Sequence, residues 1–595
     1  MNKRSHRRIE IVSLVTVAGV TAVTLGYVVW GTLVNPHAIG NKDVCFWLAW
    51  MAQFSNEKLF VNDLITNYVQ FVTPFGFSLL YRMASIFVEP VTFSKILPFP
   101  LVIVTAIYLY RIGRMIAGWE AGFATVAFFL FFPSHLKSFC GGIPHGFMFP
   151  LLVMALFYLM NARWLIVALL LFVGSLFYPL VSILGLPLFS LCIVQRSEGP
   201  LPLRLNGRGF GYLCAAALLC GAALFPKIVA ENPEIGPTIS AREAKAMPEM
   251  QKKGRLKVLP FKRLSVRVIE NDFPDVYESH AKRFRPYLWL LLAAYAVALK
   301  KRALDFPWPL WGLALCSVFL YYLATLLAFR LYFPSRYVSY PFAVLICIVL
   351  GVNSVRFIRT FETRKRRIFA SVIVFGLAVA FEGHKLDDAS TVEECPLPSE
   401  LLQFVQALPE DTLIAGHPFE MDWVMLFGKR KVFVTYEASS PIHAEYYKTM
   451  RERTRDFFRA YYADSEEPIS EFLLRNDIDY LIVNMKHFED KYLQRGKIYF
   501  QPINDEVLEM VGANNFYLEK AAETKAVFSK KGYIIIPSGA LERRTDSLSK
   551  ERRYSTPSNS VSPSSCRDEL LFSRYVFAQR QFGGPSPGKP ACGVQ

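Results

Sequence analysis

Residues 98–133, PFPLVIVTAIYLYRIGRMIAGWEAGFATVAFFLFFP, decide the fold. They hold two apolar runs, 97–116 and 119–133, with Arg111 and Arg114 closing the first. A helix needs roughly 20 apolar residues to cross the hydrocarbon of a bilayer. Arginines between two such runs mark the cytoplasmic side of a membrane. The stretch therefore predicts two membrane helices joined by a short inner turn.

The pattern repeats outward in both directions. Further apolar runs lie at 9–34, 144–161, 164–178, 180–195, 209–226, 286–300, 308–329, 338–355 and 368–382, predicting about eleven crossings in all. The first follows Lys3, Arg4, Arg7 and Arg8, is long for a signal peptide, and ends in no small-residue cleavage site; it reads as a retained anchor. With the amino terminus cytoplasmic, later basic clusters also fall inside: Arg163, then Arg196, Arg204 and Arg208, then Lys300, Lys301 and Arg302, then Arg356, Arg359 and Arg364 to Arg367. That leaves two outer loops, 35–96 and 227–285, and an outer domain after Gly383. Residues 72–90 are apolar too, but a crossing there would invert every later loop, so they read as an interfacial or re-entrant helix; the alternative is a twelfth span.

Composition agrees with a chain whose solvent is partly lipid. Hydrophobic residues make up 53% and charged residues 19%, and mean hydropathy is +0.28. The net charge of +17 sits in short clusters between apolar runs, which argues against a nucleic-acid partner. None of the ten cysteines forms a CxxC pair. No N-x-[ST] sequon occurs, which favours a bacterial inner (plasma) membrane.

The predicted architecture is a polytopic α-helical membrane domain over 1–382, a soluble α/β domain over 383–540, and a disordered Ser-, Pro- and Arg-rich tail over 541–595. β-type runs at 412–416, 431–436, 479–485 and 532–537 alternate with helical patterns at 442–463 and 467–475, predicting a small, mostly parallel sheet. No phosphate-binding glycine loop follows any of these strands. The basic outer loop 227–285 is either a solvated loop or a lid.

Ionisable groups near a membrane are costly and often functional. Asp43 lies just beyond the first span and opens a short aromatic segment; it is either a helix cap or a catalytic base. Asp63 carries the same two readings. In the outer domain His417, Glu420 and Asp422 follow a strand end, as a strand-to-helix turn or as a ligand cluster.

The layout resembles the GT-C membrane glycosyltransferases, a superfamily with protein O-mannosyltransferases, aminoarabinose transferases and oligosaccharyltransferase catalytic subunits. The resemblance rests on VTPFGFSLLYRMAS (72–85), on YLYRIGRMIAGWEAGFATVAFFLFFPSHLKSFCGGIPHGF (108–147), on FPSRYVSYPFAVL (333–345), and on the outer domain after 383. It implies a polyprenyl-phosphate sugar donor and a lipid, glycan or protein acceptor at the outer face. It also implies that Asp43 is the base or acceptor-orienting acid, with Asp63 the second candidate. Arg336 and Arg330 match the late-loop residues that hold the donor phosphate; interfacial anchoring is the alternative reading of both. His145 and Lys137 are further substrate-binding candidates. Where metal-binding members carry an acidic residue, this chain has Pro144 and His145, so no cofactor is expected. A membrane transporter or flippase, or a non-catalytic envelope polysaccharide assembly protein, are the alternative functions; no inverted repeat supports transport.

Overall fold

The computed structural model describes residues 3–196, 203–229, 232–251, 253–256, 285–327, 329–382, 392–512 and 515–541. Residues 257–284 of the loop 227–285 and the predicted tail from 542 onward lie outside the described residues.

All eleven predicted segments are helical, from Lys3–Val34 to Arg364–Glu382. Five helical stretches are long and apolar enough to cross a membrane unaided: Glu10–Val34, Pro90–Ala117, Gly207–Lys227, Trp308–Leu326 and Arg336–Ile358. Four apolar helices are shorter: Trp119–Phe131, Pro144–Met160, Trp164–Phe177 and Leu180–Cys192. A helix of 13 residues such as Trp119–Phe131 rises only about 20 Å against a hydrocarbon core of about 30 Å.

Three of these helices pack through glycine. A Cβ on Gly351 would lie 2.5 Å from the Thr125 backbone, one on Gly113 2.7 Å from the Ala121 carbonyl, and one on Gly122 2.7 Å from the Tyr110 carbonyl. Small residues let helix backbones approach this closely in a membrane, where packing rather than hydrophobicity drives association. The contact fixes Arg336–Ile358 against Trp119–Phe131 and so fixes where Arg336 stands.

Residues 72–90 hold no helix long enough to cross a bilayer unaided. They contain Phe75–Ala84, a helix of 10 residues, with Phe75, Leu79, Met83 and Phe87 exposed along one side. This is the amphipathic pattern of a helix lying in the interface.

The carboxy-terminal region holds a five-stranded sheet in the order Lys431–Val432, Leu413–Ala415, Tyr480–Asn484, Tyr533–Pro537, Phe528–Lys530. Leu413–Ala415 pairs in parallel with both neighbours, but the last two pairings are antiparallel. The sheet is therefore mixed, not mostly parallel. The reason is a hairpin: Lys531 and Gly532 both take positive φ (52° and 79°), and a two-residue turn of that kind joins strands antiparallel.

This region is docked onto the outer loops. Ala38–Ile39 pairs antiparallel with Glu393–Glu394. Tyr68 stacks on Tyr446 at 3.7 Å between centroids. From the described part of the second outer loop, Ile239 donates its N–H to Ile442 O and Pro237 O accepts from Ala444 N. The described parts of loops 35–96 and 227–285 thus pack against the carboxy-terminal sheet and its flanking segments.

Candidate functional site

Asp43 is the first residue of the helix Asp43–Leu48, and the preceding Lys42 makes no side-chain cap bond. The Asp43 N–H is instead bound by Asn41 Oδ1 at 2.9 Å, a local turn that Asn favours. Of its two sequence readings the cap is thus absent, and among the described residues its carboxylate accepts no hydrogen bond. The half-buried group is held above the ordinary Asp range, first by withdrawal from water and next by the charge of Glu437, while Arg336 and Arg255 pull it down.

Three charges from three other segments therefore act on Asp43. Arg336 starts the helix Arg336–Ile358. It donates from Nη1 to Tyr340 Oη at 2.5 Å and lies over that ring at 5.7 Å. This engages one N–H of a fork that can hold two phosphate oxygens. Tyr340 in turn faces Tyr178 (6.4 Å) and His145 (6.5 Å), and Tyr178 faces the more exposed Tyr332 (6.3 Å). The result is an aromatic wall beside Arg336.

Arg255 and Glu437 close the other side. Their ion pair is 2.6 Å, and each side chain keeps only about a tenth of its surface. Arg255 also donates to the carbonyls of Tyr436 and Glu437. The Glu437 N–H donates to Asp422 Oδ1 at 3.0 Å. Asp422 Oδ2 lies 3.6 Å from Lys42 Nζ, and that ammonium sits 3.9 Å over Trp423. A continuous polar chain thus ties both outer loops to the carboxy-terminal domain next to Asp43. Burial pushes Asp422 up to about 7, against the pull of Lys42.

The other predicted residues divide. His145 joins the site through Tyr340. Lys137 is partly exposed at the end of the short helix Pro133–Lys137. Arg330 is exposed and is not among the charges acting on Asp43. Asp63 is a helix cap: its Oδ2 accepts from Thr66 N at 2.8 Å, and the charges it feels are Arg453 and Lys431. His417 and Glu420 turn away from Asp422 into the interior. Glu420 Oε1 accepts from Asn484 Nδ2 at 2.6 Å, and His417 lies 4.5 Å from the ring of His487. Among the described residues no three His, Cys, Asp or Glu side chains group as metal ligands.

Sequence reasoning missed Arg255, Glu437 and Lys42. Arg255 was visible only as one of several basic residues in its loop, and nothing local marks Glu437.

No family model and no curated protein matches the chain. Among solved structures it is similar to the Archaeoglobus fulgidus oligosaccharyltransferase in its apo form, at 12% identity and a TM-score of 0.49, over 84% of this chain and 72% of that one. It is also similar to the archaeal oligosaccharyltransferase in complex with an inhibitory peptide and a dolichol-phosphate, at 12% identity and a TM-score of 0.45, over 83% and 72%.

Proposed function

We propose that the chain is a GT-C-type glycosyltransferase that moves a sugar from a polyprenyl-phosphate donor to an acceptor at the outer face of the membrane. The observation that carries this reading is that Arg336, the first residue of a 23-residue apolar helix, is among the cations acting on Asp43. In this reading the amino terminus is cytoplasmic, the chain crosses about eleven times, and the carboxy-terminal domain lies outside.

Asp43 takes the proton of an acceptor hydroxyl or amide, or orients it. Its raised pKa makes it a stronger base than an ordinary surface Asp. The acceptor atom attacks the anomeric carbon. The bond from that carbon to the phosphate oxygen breaks, and the polyprenyl phosphate leaves with the electron pair. Arg336 holds the leaving oxygens and offsets their growing charge. One displacement inverts the anomeric configuration. The aromatic wall of Tyr178, Tyr332 and Tyr340 offers apolar faces for a sugar ring or the first isoprene units. No step is assigned to a divalent cation.

The test is transfer of label from radiolabelled polyprenyl-phosphate sugars to a membrane extract, by purified protein in nanodiscs. Asp43→Asn should fold normally and transfer on the order of 10²- to 10⁴-fold more slowly. A fully active Asp43→Asn protein would sink the assigned base. Accumulation of substrate in vesicles without a covalent product would replace transfer by transport.

A further inference from the structure

A cavity of about 630 Å³ lies at the far end of the helix that begins with Arg336. That helix has 23 residues, so the cavity stands about 34 Å from the Asp43 site. Its walls come from Trp119–Phe131, from the last turn of Arg336–Ile358, and from Arg364–Glu382. Trp119, Phe123, Val355 and Phe375 supply apolar surface, while Arg359 and Arg367 supply two guanidinium groups.

The arginines are only lightly committed. Arg359 pairs with Glu120, but the two side chains remain 46% and 43% exposed, and an ion pair that open to water contributes little. Arg367 donates only its Nε, to Phe361 O at 2.7 Å. The corner between the helices is built to seat Arg359: Gly118 has φ +91°, and a Cβ there would lie 3.2 Å from Arg359 Nη2. Arg364, Lys365 and Arg366 adjoin the cavity in sequence, and Glu120 and Glu362 are the nearby acids.

We propose that this cavity binds an anionic phospholipid of the cytoplasmic leaflet, its phosphate between Arg359 and Arg367 and the start of its acyl chains against Trp119, Phe123 and Phe375. Basic pockets between membrane helices suit such head groups. The apolar walls favour a lipid over a free phosphate, which could use the two guanidinium groups but not the apolar surface. Glu120 competes with the lipid for Arg359.

Trp119 makes the site readable. The full chain is placed in phosphatidylcholine nanodiscs containing phosphatidylglycerol or phosphatidylcholine with brominated acyl chains. The emission lost in Trp119→Phe identifies the signal of this one Trp. Brominated phosphatidylglycerol should quench it at a much lower mole fraction than brominated phosphatidylcholine. The double change Arg359→Gln and Arg367→Gln should reduce that preference on the order of tenfold, and the double change to Lys should keep most of it. Glu120→Gln should increase the preference, which keeps the test decisive if the Gln double variant does not fold. Equal quenching by both lipids, or an unchanged or lower preference in Glu120→Gln, overturns the proposal. Relief of quenching by millimolar inorganic phosphate assigns the site to soluble phosphate and overturns the lipid.

Discussion

Asp43 and Glu420 are both carboxyl groups withdrawn from water, yet they are surrounded in opposite ways. Asp43 stands at a seam, and the groups that act on it are charges: Glu437, Arg336 and Arg255, each from a different segment. Glu420 is inside one domain, and its contacts are an amide (Asn484) and the imidazole of His487, 3.6 Å away. Burial dominates at Glu420 and lifts it to about 7. At Asp43 burial is also the largest influence, but facing cations oppose it. A carboxylate flanked by cations from other segments can exchange them for substrate charge; one held by an interior amide cannot. Chemistry is therefore expected at the first and a structural role at the second.

The largest expected effect tests that division directly. Arg336→Gln removes the group assigned to the leaving phosphate and should lower transfer on the order of 10²- to 10³-fold. Arg336→Lys, which keeps the charge and loses the fork, should fall between. The radiolabel assay reads both. An Arg336→Gln enzyme with normal rates would remove the reason to place chemistry at the seam.

Glu420 should instead report through stability. Its folded pKa of about 7 lies above the ordinary Glu value of 4.5, so between those values the folded state holds a proton the unfolded state has released. Stability must then fall as pH rises from about 4.5 to about 7 and level off above, by about 3 kcal/mol for this group. Asp422, also raised to about 7, acts in the same direction. Buried His487, lowered to about 3, acts oppositely, losing stability as pH falls below 6.5. The difference between Glu420→Gln and the parent chain isolates Glu420. Measured by calorimetry, the variant should gain relative stability as pH rises from 5 to 8, with transfer unchanged. A flat difference would mean that Glu420 is not the buried carboxyl described, and a large loss of transfer would blur the comparison.

The two regions also differ in how far the sequence disclosed them. The membrane helices were legible because an apolar run of this length has one low-energy solution in a bilayer, with all backbone groups paired within the segment. Asp43 stands out as a charge just beyond an apolar run, whereas Arg336 is singled out only through the resemblance of the stretch FPSRYVSYPFAVL. The strands around Tyr480–Asn484 and Tyr533–Pro537 were legible as apolar β-branched runs. Phe528–Lys530 was not, since two of its three residues are exposed and only the turn at Lys531 and Gly532 betrays it. Arg255 and Glu437 were illegible for another reason. Their place beside Asp43 follows from the docking of loop onto sheet, through the pairing of Ala38–Ile39 with Glu393–Glu394 and the bond from Ile239 to Ile442. No local pattern encodes a contact between segments so far apart in the chain. Asp63 illustrates the reverse: an Asp before LIT is a cap signal, and the structure uses it as one.

The smallest effect bears on the seam itself. Glu437 raises Asp43, and it also occupies Arg255, which lowers Asp43. Glu437→Gln removes the first influence and frees the second, so both changes lower the Asp43 pKa. A base with a lower pKa is ionised at lower pH, and the acid limb of the transfer rate should move to lower pH, with the rate on the plateau little changed. Arg255→Met does the reverse: it removes a cation and leaves Glu437 unpaired, so the acid limb should move to higher pH. Opposite shifts in kcat/KM against pH are a signature that mere loosening of the docked layer cannot produce, because both variants break the same ion pair. Shifts of one sign would assign the acid limb to a group other than Asp43, and the seam would then hold the domains together without holding the base.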